Sequence, residues 1–292
     1  MNRGTLLAST AYLIWGFAAL YWVETQPVGA IDLVAHRALW SVPVLLLCLA
    51  WMGRLRVGLA MLMQPRTLAI MAASATAQAV NWGIFLWAVT NERAAEASLG
   101  YFLLPLINVG IGILLFREQV DRAQWIAIGL AGIGMLILIA ENRGLPWVAL
   151  GVAVSFGLYG AIRKKVSIGA VEGLFVETAL MAPLGLLWLL YRDWGGLGQH
   201  GTRVDLFLLG AGVMTVVPLA CYVIASRMLP LTALGLVFYL GPSCQLFVAI
   251  CIFGEPLNPV QLFSFVLVWL GLAFVIADTF RRYRSMRALA DD

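Results

Sequence analysis

ASLGYFLLPLINVGIGILLFRE, residues Ala97–Glu118, decides how this chain is read. It is apolar for long enough to cross a bilayer, is interrupted near its middle by Pro105 and Asn108, and ends in charge at Arg117 and Glu118. A water-soluble helix of that length keeps a polar face, and this stretch has none. The pattern returns in ALGLVFYLGPSCQLFVAICIFGE, Ala233–Glu255, where Pro242 stands 13 residues before Glu255, as Pro105 stands before Glu118. One kinked membrane span, used twice, is the theme.

The composition agrees. Hydrophobic residues make up 62% of 292 and charged residues 12%, with a mean hydropathy of +0.92. Soluble domains run near half apolar and a quarter charged, so most of this chain has lipid as its solvent. The net charge of +4 comes from short basic clusters between apolar runs, which gives no footprint for nucleic acid. Cys48, Cys221, Cys244 and Cys251 lie in apolar stretches without C-x-x-C or Cys/His spacing. They read as packing residues, and no metal or other cofactor is expected. The apolar run after Arg3 is too long for a signal-peptide core and has no clear cleavage site, so it reads as a retained span.

Ten such runs can be counted, at about 4–23, 32–52, 67–90, 97–116, 123–141, 145–165, 172–192, 203–226, 231–253 and 259–280. They are continuous rather than alternating, so they predict helices and not barrel strands. With the N-terminus inside, 14 Arg and Lys fall on the inner side and 4 on the outer, with Arg37 inside a span. The positive-inside rule then puts both termini in the cytoplasm of a bacterial-type inner membrane. The longest connection, around Asp193–Arg203, is too short to fold alone, so no soluble domain is expected. Residues 281–292 read as a basic cytoplasmic tail suited to anionic lipid.

The halves echo one another. AYLIWG (Ala11–Gly16) answers SFGLYG (Ser155–Gly160), and HRALWSVP (His36–Pro43) answers ETALMAP (Glu177–Pro183). The expected fold is an all-α polytopic membrane protein of ten transmembrane helices in two repeats, 1–142 and 143–280. Five spans is an odd number, so the second repeat enters the membrane inverted. Inverted repeats favour alternating access around a midplane site.

Polar side chains in lipid are costly and usually face a cavity or a partner. Gln78, Asn81, Asn108 and Gln245, with Trp82, Tyr101, Tyr159, Tyr222 and Tyr239, are the candidates for a substrate pathway. Pro105, Pro218 and Pro242 each free a backbone carbonyl at depth. The competing reading is that the amides hydrogen-bond neighbouring helices. His36, Arg37 and Glu177 are read as the ionisable groups well inside spans, one set toward each mouth, for gating or carrying a proton. The competing reading has Arg37 snorkelling to the interface and Glu177 capping a helix. Glu118 and Glu255 end their spans and read as structural, with Arg117 or Arg122 expected beside Glu118. Trp22, Trp51, Trp125, Trp147 and Trp194 read as interface anchors. Glycines in GIGILLF (Gly110–Phe116) and GLAGIGM (Gly129–Met135) suit close helix packing, within the chain or between protomers of a homo-oligomer.

HRALWS (His36–Ser41), NWGIFLWAV (Asn81–Val89), EASLGYFLLPL (Glu96–Leu106), SFGLYGAIRKK (Ser155–Lys165), GLFVETALMAP (Gly173–Pro183), VPL (Val217–Leu219) and FGEPL (Phe253–Leu257) together resemble the drug/metabolite transporter superfamily, EamA type, RarD-like branch. The resemblance runs from the first span to the tenth. It implies a ten-helix inner-membrane permease, in a branch connected with chloramphenicol sensitivity. Leu104 and Phe238 stand where that branch tends to carry Asn and Gln.

Three functions are weighed. The first is a secondary transporter exporting a small metabolite or drug-like molecule. The second is an integral-membrane enzyme acting on lipid, for which no G-x-S-x-G, H-E-x-x-H or Walker loop speaks, and His36 and His200 are too few for a di-iron or haem site. The third is a passive channel. The expected partners are membrane lipid and a small-molecule substrate.

Overall fold

The computed structural model describes residues 3–90, 94–141, 147–254 and 259–290. Among them the fold is all helix: α1 (Arg3–Trp22), α2 (Ala30–Trp51), α3 (Leu55–Met61), α4 (Pro65–Thr90), α5 (Ala94–Phe116), α6 (Arg122–Glu141), α7 (Trp147–Lys165), α8 (Ala170–Tyr191), α9 (Thr202–Met228), α10 (Leu231–Phe238), α11 (Leu240–Phe247) and α12 (Pro259–Ala290). Among the described residues seven stretches are long and apolar enough to cross a membrane, and Gly100–Phe116 and Leu262–Ala277 are shorter apolar helices. α7 falls short because its last turn is Arg163, Lys164 and Lys165. α3 was not anticipated. It fills the link between α2 and α4, with Leu55 and Met61 packed on the core.

Proline acts differently in the two kinked stretches. Pro105 sits inside an unbroken α5. In the second copy the helix stops at Phe238 and restarts at Leu240. Phe238 is the residue whose carbonyl the ring of Pro242 would strike, four positions back. α11 then ends in a π-turn, Val248–Ile252.

The packing pairs off between the halves. α2 lies on α8, α6 on α12 and α5 on α10, while α1 with α9 matches α7 with α4, and α5 with α7 matches α10 and α11 with α1. α2 and α8 run antiparallel. At one end Trp188 Nε1 donates to Asp32 Oδ1 at 2.9 Å and Arg192 faces the same oxygen at 3.5 Å. At the other, Arg54 pairs with Glu172 at 2.6 Å.

Close crossings explain only some of the glycines. A Cβ on Gly134 would sit 3.1 Å from the Ser264 carbonyl, and one on Gly112 would lie 2.6 Å from the Glu118 carboxylate. Gly110, Gly129 and Gly132 have no atom within 4 Å of that position, so of the two expected kinds of packing these three take no part in the one within the chain.

Glu118 also departs from expectation. Its carboxylate reaches across to the start of α10, where it accepts from Leu231 N at 2.7 Å, Thr232 N at 3.0 Å and Thr232 Oγ1 at 3.0 Å. The cation beside it is Lys164, at 3.4 Å, and not Arg117 or Arg122. An acid is unfavourable at the end of its own helix but favourable at the N-terminus of another. Glu118→Ala should therefore cost about 1–2 kcal/mol, as loss of a helix cap does, read as a lower unfolding midpoint in detergent. Wild-type stability in that variant would remove the cap. Glu255 lies outside the described residues.

Candidate functional site

At the crossing of α2, α4, α7, α8 and α9 lies a cavity lined by Arg37, Ala38, Ser41, Gln78, Trp82, Tyr159, Leu174, Glu177, Thr178, Met181, Thr215 and Leu219. It has room for water but falls far below the ~300–1,000 Å³ of a drug-sized site.

The duplication explains the lining. Pro105 and Pro242 are 137 residues apart (242 − 105), and the same offset carries Gln78 to Thr215 and Trp82 to Leu219. Aligning Ala38–Leu39 with Ala179–Leu180 carries Arg37 to Thr178 and His36 to Glu177. Equivalent positions from both halves thus meet in one cavity.

Arg37 is held by its flanks. Its Nε donates to Thr215 Oγ1 at 3.0 Å, and its guanidinium carbon lies 5.4 Å from the Trp22 ring centroid and 4.9 Å from that of Trp82. A cation taken out of water costs several kcal/mol, while each desolvated cation–π contact returns about 2 kcal/mol. Trp22, partly buried, thus packs on an arginine, whereas Trp51 is 91% exposed.

From the cavity a polar seam leads toward the Arg54/Glu172 end. Tyr159 OH donates to Glu177 Oε2 at 3.5 Å, and Glu177 Oε1 faces Arg163 Nη1, also at 3.5 Å. Arg163 is wholly buried. Its Nη1 points at Met71 Sδ at 3.2 Å, and its Nη2 donates to Ala170 O at 2.9 Å and Gly169 O at 3.5 Å. Arg227 closes this end by donating to the carbonyls of Arg163 and Ile168. Ser74 Oγ, Gln78 Oε1, Arg163 Nε and Glu177 Oε1 are buried without hydrogen-bond partners. Such a chain of unsatisfied atoms is where water or a moving proton is accommodated. Arg163 is a buried ionisable group in the last turn of α7, which the sequence reading counts only among the basic residues of the inner side. The available signal was Gly169 and Gly173, where a Cβ would collide with Glu172 and Arg163.

His36 closes the opposite end and does not line the cavity. Trp40 Nε1 donates to His36 Nδ1 at 3.1 Å, so that nitrogen carries no proton. Nε2 then bears the hydrogen and donates to Gly195 O at 3.3 Å. Both nitrogens are satisfied in the neutral ring, which suits a plug. Arg37 and Glu177, expected at separate mouths, share one cavity.

The other candidates scatter. Asn81 Nδ2 donates to Val152 O at 2.8 Å and Ser155 Oγ at 3.2 Å, stitching α4 to α7. Asn108 is buried against α7 and α10, with both side-chain atoms unpartnered. Tyr101 packs near Phe85 and Phe238. Tyr222 belongs to an aromatic layer with Tyr12, Trp15, Phe156 and Tyr159, its hydroxyl unpartnered. Tyr239 donates to Phe102 O at 3.3 Å, in a separate cluster. Gln245 is exposed and reaches Trp15 O at 3.4 Å, so it does not enter the cavity. Pro105 packs against Gly235, while Pro218 and Pro242 are buried in α9 and α11.

A multi-pass helical protein with charged and amide groups around an internal cavity has the architecture that a permease needs. The profile of the EamA-like transporter family matches residues 2–140 and again 143–277. An uncharacterized transporter of Pseudomonas aeruginosa is 40% identical, covering 98% of this chain and 97% of its own. Protein RarD of Streptomyces exfoliatus is 38% identical, covering 98% and 92%, and protein RarD of Escherichia coli K12 is 34% identical, covering 95% of each. One solved crystal structure superposes with a TM-score of 0.74 over 95% of this chain and 98% of its own; at 19% identity this is a likeness of fold alone. The chain belongs to the EamA-like transporter family, among its RarD-like members.

Proposed function

We propose that the protein is a secondary transporter of ten spans in two inverted five-helix repeats, exporting a small metabolite across the bacterial inner membrane by alternating access. The observation that carries this is the cavity, lined by residues at corresponding positions of the two halves, with Arg163 and Arg227 toward one end and His36 toward the other. Repeat-related helices α2 and α8 run antiparallel, the relation that inverted insertion requires. The basic bias of 14 to 4 assigns the Arg54/Glu172 end, and both termini, to the cytoplasm. The polar seam is then the cytoplasmic route, and His36 with Gly195 plugs the outer one. Glu177 is the coupling group, because it is the one carboxylate in the lining and a cation, Arg163, faces it at 3.5 Å.

Protein purified into proteoliposomes is expected to show saturable counterflow of one metabolite class, stimulated by a proton gradient. Saturation separates a carrier from a channel, and flux in oppositely oriented vesicles reads the direction. In Glu177→Gln the pH dependence of flux should flatten while binding persists. A pH profile that stays unchanged would exclude Glu177, and a metabolite screen without any flux would overturn the transport reading.

A further inference from the structure

We propose that Arg37 makes the cavity a receptor for the carboxylate of a singly charged organic anion with an apolar body. The inference rests on the transport reading and adds the substrate class. Four observations converge on it. Among the described residues no acid meets Arg37, and Glu177, the one acid in the lining, already faces Arg163 at 3.5 Å. Thr215 takes Nε, and two tryptophan rings hold the guanidinium, so the Nη1/Nη2 pair remains as a planar fork beside the cavity. Two parallel N–H donors match the two oxygens of a carboxylate, a fit that a lysine would not give.

Charge balance narrows the class further. One uncompensated cation in a lipid-embedded cavity is neutralised by one negative charge, whereas a dianionic phosphate would bring a surplus that nothing in the lining offsets. An organic cation would meet Arg37 as a like charge. The walls around the fork are Trp82, Leu174, Met181 and Leu219, which suits an aliphatic or aromatic body. The counterpart of Arg37 in the other half is Thr178, so the charge is on one side only and the anion has a single preferred orientation.

The test is equilibrium binding to the full-length protein in nanodiscs, with three probes that share one body: 3-phenylpropionate, 3-phenylpropionamide and 3-phenylpropylammonium. The acid should bind at least about tenfold more tightly than the amide, and the ammonium should not bind. Arg37→Gln should bring acid and amide within about twofold of each other, and Arg37→Lys should keep a reduced preference for the acid. Equal binding of acid and amide by wild type, no binding of the acid, or an acid preference that survives Arg37→Gln would each overturn the proposal. If Arg37→Gln does not fold, the wild-type comparison still decides. Acid-selective binding without counterflow would keep the carboxylate site and sink transport. Saturable counterflow of the amide or the amine, without acid preference, would do the reverse.

Discussion

Arg163→Met is expected to lower stability by about 3–5 kcal/mol, the range for removing one partner of a buried ion pair. The substitution strands the Glu177 carboxylate in the bundle and leaves the Ala170 and Gly169 carbonyls without their donor. The 3.5 Å separation of Arg163 and Glu177 is long for a charge-assisted hydrogen bond, so the pair is held by charge rather than geometry. This makes the loss separable. Glu177→Gln on the Arg163→Met background removes the orphaned charge and should restore about 1–3 kcal/mol, the usual coupling of residues in contact. Unfolding midpoints of the four proteins in one detergent give the cycle. A double variant no more stable than Arg163→Met would place the whole effect in the α7–α8 carbonyl contacts and remove the ion pair from the argument.

That arginine also shows where the sequence stops being legible. Over their described residues the ten apolar stretches are mostly helix, with a break at Tyr239 inside 231–253, because lipid leaves a chain no other way to satisfy its backbone and length is a one-dimensional property. The face a side chain presents is not one-dimensional. Arg163 ends an apolar run in the triplet Arg163–Lys165, where a solvated cluster and a buried cation look alike in sequence. Only the neighbours brought by α8, with glycine at 169 and 173, tell them apart. Asn81 and Gln78 lie less than one turn apart on α4, yet Asn81 binds α7 while Gln78 opens to the cavity. Gln245 follows Pro242 by three residues, as Asn108 follows Pro105. The helix break at Tyr239 belongs to the second copy alone, and Gln245 is exposed while Asn108 is buried. Arg37 and Glu177 are costly enough in lipid that position alone marks them, but that they share one cavity and do not sit at separate mouths depends on how α2 and α8 pack.

Gly212→Ala should destabilise by about 3 kcal/mol, the upper part of the range for overpacking, because what a new methyl would meet is backbone. Its Cβ would collide with the carbonyl oxygen and carbon of Trp40 and fall 2.9 Å from Ser41 N. None of these can rotate aside, so α2 and α9 must part. The same crossing carries Arg37 one turn before Trp40 and Thr215 one turn after Gly212, joined by the 3.0 Å hydrogen bond that sets the guanidinium. Parting the helices therefore misplaces the fork as well as weakening the fold, and flux should fall further than the loss of folded protein explains. Gly185→Ala, facing the Ala35 carbonyl at 3.1 Å across α2 and α8, should be milder. Gly110→Ala and Gly129→Ala meet nothing within 4 Å and should leave the unfolding midpoint unchanged or slightly raised, since alanine is the better helix former. The order of the midpoints tests the packing directly. If Gly212→Ala melted with Gly110→Ala, α2 and α9 would not touch at this point, and the placement of Arg37 in the cavity would fall with that contact.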